Sequence, residues 1–165
     1  MKLNGKTAIV TGAGQGIGAA IVTRLAEDGA RVAALDLNVD SAQKLIAGLP
    51  NADQHLALAT NVAQSASVIA SIRQAREHFG RLDFAVNNAG IGQAKGDGSD
   101  KFYSSMDERN AELARGEKPK TFVDHLIHME DEGWQSVMDV NLNGAFYVCR
   151  EMVRILAEDN NPGSI

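Results

Sequence analysis

Residues 11–18, Thr-Gly-Ala-Gly-Gln-Gly-Ile-Gly, have the composition and the surroundings of a phosphate-binding turn. An apolar, partly β-branched run at 7–10 predicts a buried strand before them, and apolar residues at helical spacing over 19–26 predict a helix after them. At such a junction the unpaired N–H groups and the positive dipole end of the helix attract a phosphate. Taken alone, the glycines would also suit a flexible turn without a ligand.

Three glycines of this turn form the pattern G-x-x-x-G-x-G, which differs from the G-x-G-x-x-G of the standard dinucleotide fingerprint. We expect Gly12 to allow a tight turn and Gly16 to let the backbone approach an anion closely. Gly18 is expected to let the helix lie close on the strand.

The elements that position this turn alternate between strand and helix. Strands are predicted at 7–11, 31–35, 56–60 and 82–86, and helices at 17–28, 40–49 and 65–79. This alternation predicts an α/β fold, with a doubly wound parallel sheet and helices on both of its faces. Ligands of such sheets bind at the carboxyl ends of the strands. Four polar residues are expected there, namely Thr11, Asp36, Asn61 and Asn87.

The segment 91–122 departs from the alternating pattern. It opens on a glycine-rich loop, and a capping box of Ser105 and Glu108 predicts a short helix that stops near Gly116. Pro119 and Thr121 predict the start of another helical piece. The segment could be a lid over an active site or a surface decoration, and the sequence leaves both open.

A long helix is predicted at 131–158, and Ser164 and Ile165 resemble the start of a fifth strand. Asn141 falls on the apolar stripe of this helix, where an apolar residue is expected. A buried amide needs hydrogen-bond partners, so Asn141 is either a structural residue bonded to backbone or a residue that organises water or substrate. The stripe consists of Trp134, Val137, Met138, Ala145, Val148, Cys149, Met152 and Leu156.

The composition excludes several classes of protein. The chain has 165 residues, enough for one domain with a substantial core, and 44% of them are hydrophobic. Its net charge of -5 argues against nucleic acid as a partner, and no apolar run is long enough to span a membrane. The sequence shows no secretory leader, and its single cysteine fits a reducing cytoplasm. We expect that residue, Cys149, to be a small core residue and not a nucleophile.

Two histidines could share a metal ligand set. His125 and His128 are three residues apart on a predicted helix, with Asp124 and Glu130 nearby. No cysteine or carboxylate completes a recognisable set of metal ligands around them. A solvated polar helix face is therefore favoured, and no metal is predicted.

The motifs together resemble the short-chain dehydrogenases/reductases in their single-domain form. In the family's order, and over nearly the whole chain, come the glycine turn, Asp36 after strand two, the Asn-Asn-Ala-Gly of 87–90 after strand four, and the Asp-Val-Asn-Leu-Asn-Gly of 139–144. The resemblance implies one NAD-binding Rossmann-like domain over 1–165. It also implies that the sheet is truncated after the fourth strand and the long helix, and that 91–122 is an insertion.

The resemblance also assigns roles to the cofactor-binding residues. Asp36 is implied to accept hydrogen bonds from the adenosine ribose hydroxyls and to repel a 2′-phosphate, which favours NAD over NADP. Leu37 agrees, because it places no cation after Asp36, and so does the uncharged Gln15. The pyrophosphate and the ribose are implied to be held by Gly12, Gln15, Gly16, Ile17 and Gly18.

Further positions follow from the later motifs. Asn61 and Val62 match the place of an Asp-Val pair against the adenine, and the asparagine carbonyl can still accept a bond from the adenine amino group. Asn141 resembles the catalytic asparagine that holds a water in a proton relay. The cofactor cleft is implied to be lined by Asn88, Ala89 and Gly90, while Asn87 is expected to tie strands together.

The implied activity is hydride transfer between a nicotinamide and an alcohol or ketone of unspecified identity. The family's serine and its Tyr-x-x-x-Lys are absent, since Tyr103 is followed four residues later by Asp107 and Tyr147 by Glu151. We therefore expect the 165-residue chain to be the inactive N-terminal part of a cytoplasmic, homo-oligomeric enzyme. The alternative is a non-catalytic nucleotide-binding or interaction module.

Overall fold

The computed structural model describes residues 2–165, and its strands form one parallel sheet of four. The strands are β1 (Thr7–Thr11), β2 (Arg31–Asp36), β3 (Leu56–Ala59) and β4 (Phe84–Val86), in the spatial order β3-β2-β1-β4. Ala8 of β1 is in register with Val32 on one side and with Phe84 on the other. The strand order therefore reverses beside β1, which places a ligand crevice at its carboxyl end.

The helices are α1 (Gly16–Glu27), α2 (Val39–Ala47), α3 (Ser65–Phe79), α4 (Ser99–Ala114), α5 (Asp131–Met138) and α6 (Gly144–Glu158). The chain forms two compact units. The first ends at Gly90 and resumes with Asp139–Ile165, and the second is Ile91–Met138. No helix among residues 2–165 has the length and apolar character needed to cross a membrane.

The sheet of the first unit is covered on both faces, as its apolar strands require. Ile9 points into a core shared with α3 and α6, whereas its neighbours Ala8 and Val10 point into a second core shared with α1 and α2. Every residue of β1 is buried. The predicted doubly wound α/β fold is thereby confirmed.

Helical structure covers the predicted bounds 131–158, but it is not α-helical throughout. Asp139–Asn143 form a π-helical segment between α5 and α6. A π segment holds one more residue per turn than an α-helix, so it rotates the residues that follow relative to the predicted stripe. Asn141, predicted on the apolar stripe, lies within this segment and is exposed, and Trp134 of α5 is exposed as well.

The buried face of α6 carries an unpredicted charge. Val148, Met152 and Ile155 enter the core as expected, but Glu151 lies beside them and is 0% exposed. Its carboxylate forms ion pairs with Arg73 of α3, at 2.7 Å, and with Arg154, at 3.2 Å. A carboxylate at that depth is tolerated because two guanidinium groups offset the loss of water.

A second buried carboxylate joins the amino ends of β1 and β4. Asp83, 4% exposed, accepts hydrogen bonds from the Thr7 N–H and hydroxyl, from Lys6 and from Arg81. Burial alone would raise the pKa of the Asp83 carboxyl, but the bonds from Arg81, Thr7 and Lys6 outweigh it and lower the pKa to about 2.

The outer side of β4 is paired by the last residues of the chain. Ser164 forms a parallel bridge with Phe84, its N–H donating to the Asp83 carbonyl at 3.1 Å and its carbonyl accepting from the Ala85 N–H at 3.1 Å. The predicted fifth strand is thus confirmed as a single bridge.

In the second unit, α4 begins six residues before the predicted capping box. Its N-cap is Gly98, the preceding Asp97 accepts at Oδ1 from the Ser99 N–H at 2.8 Å, and Ser105 lies inside the helix. The stop near Gly116 is confirmed, with a positive φ of 74° at that glycine.

The helical piece predicted from Pro119 and Thr121 is wrong, and only a 3₁₀ turn at Leu126–His128 follows. The buried Glu112 carboxylate accepts from the Lys120 N–H, the Thr121 N–H and the Thr121 hydroxyl, which holds the segment against α4. The bond from the Thr121 N–H is the main reason that the pKa of Glu112 lies below its usual value.

Candidate nucleotide-binding site

The glycine turn lies at the carboxyl end of β1, against the segment that follows β4. Gly12 has a φ of +62°, and a Cβ added there would come within 2.8 Å of the Ala89 Cα. A Cβ on Gly18 would lie 2.1 Å from the Gly12 carbonyl oxygen. Only glycine fits either position, so the tight turn expected at Gly12 and the close packing expected at Gly18 are both present.

The start of α1 faces open space. A Cβ added to Gly16 would meet no described protein atom within 4 Å, and Ile17 is exposed over 75% of its surface. Among the described residues, α1 has no acidic side chain in its first turn and no side-chain hydrogen bond from its N-cap, Gln15. The first N–H groups of α1 are therefore open to an anion at the positive end of the helix.

Asp36 is held in place at the end of β2 by two main-chain donors. The Gly14 N–H donates to Oδ2 at 2.7 Å, and the Asn38 N–H donates to Oδ1 at 2.8 Å. A carboxylate oxygen has more than one lone pair, so both oxygens can accept a further hydrogen bond. The carboxylate is therefore oriented without being neutralised.

A cleft of about 550 Å³ opens beside Asp36 and the glycine turn. Leu37 is largely exposed at its wall. The residues that line it are Gly14, Gln15, Asp36, Leu37, Asn38, Val39, Asp40 and Ser41. Its volume suits a small organic ligand, and it lies at the carboxyl ends of β1 and β2, the edge of the sheet where ligands bind.

Asn88, and not Asn87, ties the strands together. Its amide nitrogen donates to the carbonyls of Thr11, at 3.0 Å, and Gly12, at 3.1 Å. The Thr11 hydroxyl in turn accepts from the N–H groups of Asn88 and Ala89, both at 3.1 Å. The exposed Asn87 instead contacts the Cys149 sulfur at 3.3 Å.

The turn after β3 is shaped by its own asparagine. The Asn61 Oδ1 accepts from the Ala63 N–H at 3.0 Å, and the Asn61 N–H donates to the Ser67 hydroxyl at 3.0 Å. Val62 packs into the core, and a Cβ on Gly144 would lie 3.1 Å from its side chain.

Asn141 lies beside the segment that follows β4. A Cβ added to Gly90 would lie 3.3 Å from the Asn141 Oδ1, and both Asn141 and Ala89 line a small cavity of about 60 Å³ with Thr11 and Val62. The π segment thus brings Asn141 to the carboxyl edge of the sheet, and π segments are frequent at functional sites.

Sequence reasoning placed Thr11 and Gly14 in the turn but gave neither a specific role, and it misplaced one core residue. Gly14 holds Asp36, although it lies outside the G-x-x-x-G-x-G pattern, and the Thr11 hydroxyl joins the two turns. The predicted core residue Cys149 is only partly buried, because it lies where α6 passes the exposed Asn87. The fourth glycine in an eight-residue turn was the one available signal.

The two histidines considered for a metal lie in the second unit. The His125 Nε2 is 3.4 Å from the Ser99 hydroxyl, and the ring lies near Phe102. Among residues 2–165, no group of three or more His, Cys, Asp or Glu side chains is placed to hold a metal ion.

Comparisons with known proteins agree with this geometry. A family model described as short chain dehydrogenase matches residues 6–113. The D-threitol dehydrogenase of Mycolicibacterium smegmatis is 35% identical over 158 residues, which make up 95% of this chain and 50% of that protein. The chain spans about half the length of the curated relatives it matches.

Solved structures with a bound nicotinamide cofactor share the fold. An NAD⁺-bound xylitol dehydrogenase superposes with a TM-score of 0.75 at 26% identity, covering 99% of this chain and 53% of the other. A 3-ketoacyl-(acyl-carrier-protein) reductase from Brucella melitensis, complexed with NADH, gives a TM-score of 0.72 at 28% identity, covering 95% and 52%.

Proposed function

Because this chain belongs to the short-chain dehydrogenase/reductase family, we propose that it supplies the NAD-binding half of an oxidoreductase that transfers a hydride between nicotinamide and an alcohol or ketone. The observation that carries the proposal is the oriented Asp36 carboxylate beside the glycine turn, at the carboxyl ends of β1 and β2. Such a carboxylate is suited to accept bonds from the hydroxyls of an adenosine ribose.

The residues present fit a dinucleotide. The open start of α1 offers N–H groups to a pyrophosphate, and the cleft at Asp36 offers room for the adenosine half. When bound, the nicotinamide would supply the carbon that gives or takes the hydride. The residues proposed to hold the cofactor are Gly12, Gln15, Gly16, Ile17, Gly18, Asp36, Asn61, Val62, Asn88, Ala89 and Gly90.

NAD is proposed over NADP on electrostatic grounds. The Asp36 carboxylate would repel a 2′-phosphate, and neither Leu37 nor Gln15 supplies a cation to offset it. The Asn88 side chain already donates hydrogen bonds to the carbonyls of Thr11 and Gly12, so its amide nitrogen is engaged within the protein. We propose that Asn88 shapes the cofactor cleft by holding the turn.

The substrate side rests on fewer residues. Asn141 is proposed as the catalytic asparagine that positions a water, because it lies on a π segment at the carboxyl edge of the sheet. An alcohol or ketone substrate is supported by relatives such as the D-threitol dehydrogenase. Residues 91–122 are proposed to be an insertion into one NAD-binding domain, and they fall within the separate compact unit Ile91–Met138.

We propose that the 165 residues alone bind NAD without turnover, because they hold no Tyr-x-x-x-Lys. The alternative function is a non-catalytic nucleotide-binding or interaction module. Homo-oligomerisation of the complete enzyme is supported by apolar side chains exposed along the π segment and α6, at Leu142, Phe146 and Val153. A cytoplasmic location is proposed from the single, unpaired cysteine.

The test is a calorimetric titration of the purified chain with NAD and with NADP. We expect NAD to bind at least about tenfold more tightly, with the difference reduced in Asp36→Ala and kept in Asp53→Ala, a matched change on an exposed turn. Equal or tighter binding of NADP would contradict the choice of cofactor. Oxidation of alcohols by the 165-residue chain would contradict the absence of turnover.

A further inference from the structure

The cleft beside Asp36 contains a second carboxylate. Asp40 lines it from the first turn of α2, and its side chain is exposed. Among the described residues that line the cleft, two are acidic and none is a lysine or arginine. Any anion placed beside the ribose-binding carboxylate would therefore meet two negative charges and no cation.

The start of α2 also differs from the start of α1. Asn38 caps α2, since its Oδ1 accepts from the Ser41 N–H at 3.2 Å, and Asp40 adds a negative charge to the first turn. The start of a helix ordinarily attracts a phosphate through its free N–H groups and its dipole. At α2 the Asn38 side-chain oxygen occupies the Ser41 N–H, which is one of those donors. The Asp40 carboxylate offsets the positive end of the helix dipole.

Asp36 is itself tied to this helix start. The Asn38 N–H donates to Asp36, while the Asn38 side chain caps α2, so the same residue serves the carboxylate and the helix. The wall of the cleft that the start of α2 forms is consequently acidic, and one of its N–H donors is already occupied.

We propose that Asp40, with the Asn38 cap, is a second determinant of coenzyme specificity, which disfavours the 2′-phosphate of NADP even where the charge of Asp36 is removed. The inference rests on the proposed NAD site. It implies that a substitution of Asp36 alone relaxes the preference only in part, because one carboxylate remains and no cation replaces the other.

The experiment isolates the adenosine half of the cofactor. The full 165-residue chain is titrated with AMP and with adenosine 2′,5′-bisphosphate, and the ratio of the two dissociation constants is compared among variants. The variants are Asp40→Asn, Asp36→Asn and the double change. Asp53→Asn is the control, since it removes the same charge from an exposed turn. That turn precedes β3 and so lies at its amino end, whereas the cleft lies at the carboxyl ends of the strands.

We expect Asp40→Asn to improve the ratio for the bisphosphate about fivefold over wild type, with little change for AMP, because a single charge pair at short range across water is worth about 1 kcal/mol. The gain should shrink in 0.5 M salt, and the double variant should favour the bisphosphate more than either single variant. Asp53→Asn should leave the ratio unchanged.

Two results would overturn the inference, and they can be told apart. If AMP binds but Asp40→Asn has the same ratio as Asp53→Asn, Asp40 is not a determinant and the NAD site stands. If neither nucleotide binds wild type or any variant while all remain folded by circular dichroism, the proposed function itself fails, and the inference fails with it.

Discussion

The main-chain N–H of Gly14 donates a hydrogen bond of 2.7 Å to Oδ2 of Asp36, which joins the turn after β1 to the end of β2. The contact is close on both sides, since a Cβ on Gly14 would lie 3.0 Å from the Asp36 carboxyl and 3.0 Å from the Ser41 Cβ. The residue that orients the carboxylate thus has no room for a side chain.

Gly14→Ala should weaken NAD binding by about tenfold, because the added methyl displaces the Asp36 carboxylate from its oriented position. Isothermal calorimetry measures the effect. Gly48→Ala is the matched control, since its Cβ would meet only the Leu45 carbonyl at 3.5 Å. Unchanged affinity in Gly14→Ala would show that the orientation of Asp36 does not govern binding.

Asn88→Ala should lower the free energy of unfolding by about 2 kcal/mol, because it leaves the carbonyls of Thr11 and Gly12 without their side-chain donor. Asn87→Ala removes an exposed amide whose contact is a weak one to sulfur, and it should cost less than about 0.5 kcal/mol. Urea unfolding of the two variants compares neighbouring residues of one type. Equal losses would argue against Asn88 as the tie between the turns.

Asp83 should give the protein an acid-sensitive component of stability. The pKa of its carboxyl is lowered to about 2 in the folded chain, against about 3.9 when unfolded, so the stabilisation is full above about pH 5 and is lost as the pH falls towards 2. The difference of about two pKa units corresponds to on the order of 2 kcal/mol.

Urea unfolding from pH 7 to pH 2 measures this component. Asp83→Asn should be less stable than wild type at pH 7, and the gap should close in acid. Asp97, Glu112 and Asp159 also have lowered pKa values, but they titrate in both proteins and cancel in the comparison. A gap that persists at pH 2 would assign the loss to packing instead of charge.

Glu151→Ala should destabilise the packing of α3 against α6 by about 3 kcal/mol, because it leaves Arg73 and Arg154 without their buried partner. Glu158→Ala removes a largely exposed carboxylate that also faces Arg73, at 3.6 Å, and should cost under about 1 kcal/mol. Chemical denaturation distinguishes the two. Comparable losses would mean that burial adds nothing to the Glu151 pairs.

The sheet could be predicted because each of its elements is a local pattern. β1 and α3 begin and end where the apolar runs and glycines place them, and Gly80 ends α3 in the left-handed conformation that such a stop requires. Local periodicity is a property of a few adjacent residues, and the fold preserves it.

The features that the sequence did not predict depend on contacts that local sequence patterns do not show. The π segment around Asn141 precedes Gly144, which approaches Val62 at a distance of about eighty positions in the chain, and helical spacing carries no sign of it. Glu112 accepts hydrogen bonds from the N–H groups of Lys120 and Thr121 in the non-helical segment after Pro119, and helical spacing gives no sign of these bonds.

Two adjacent asparagines set another limit on how far the site could be predicted from the sequence. Asn87 and Asn88 have the same chemistry, and which of them turns towards β1 depends on the pleat at the end of β4. The Gly14–Asp36 bond likewise connects two residues that were each visible in the sequence, and only their proximity was new.

The bonds between Thr11 and Asn88 cross 77 positions of the chain, which has a consequence for biosynthesis. A nascent polypeptide that has emerged through residue 60 already contains every glycine of the turn and Asp36, yet it lacks the amide that fixes the Thr11 and Gly12 carbonyls. Contacts of that sequence separation form late, because loop closure must precede them. The turn that we propose to hold the cofactor is therefore fixed only when the fourth strand has left the ribosome and docked.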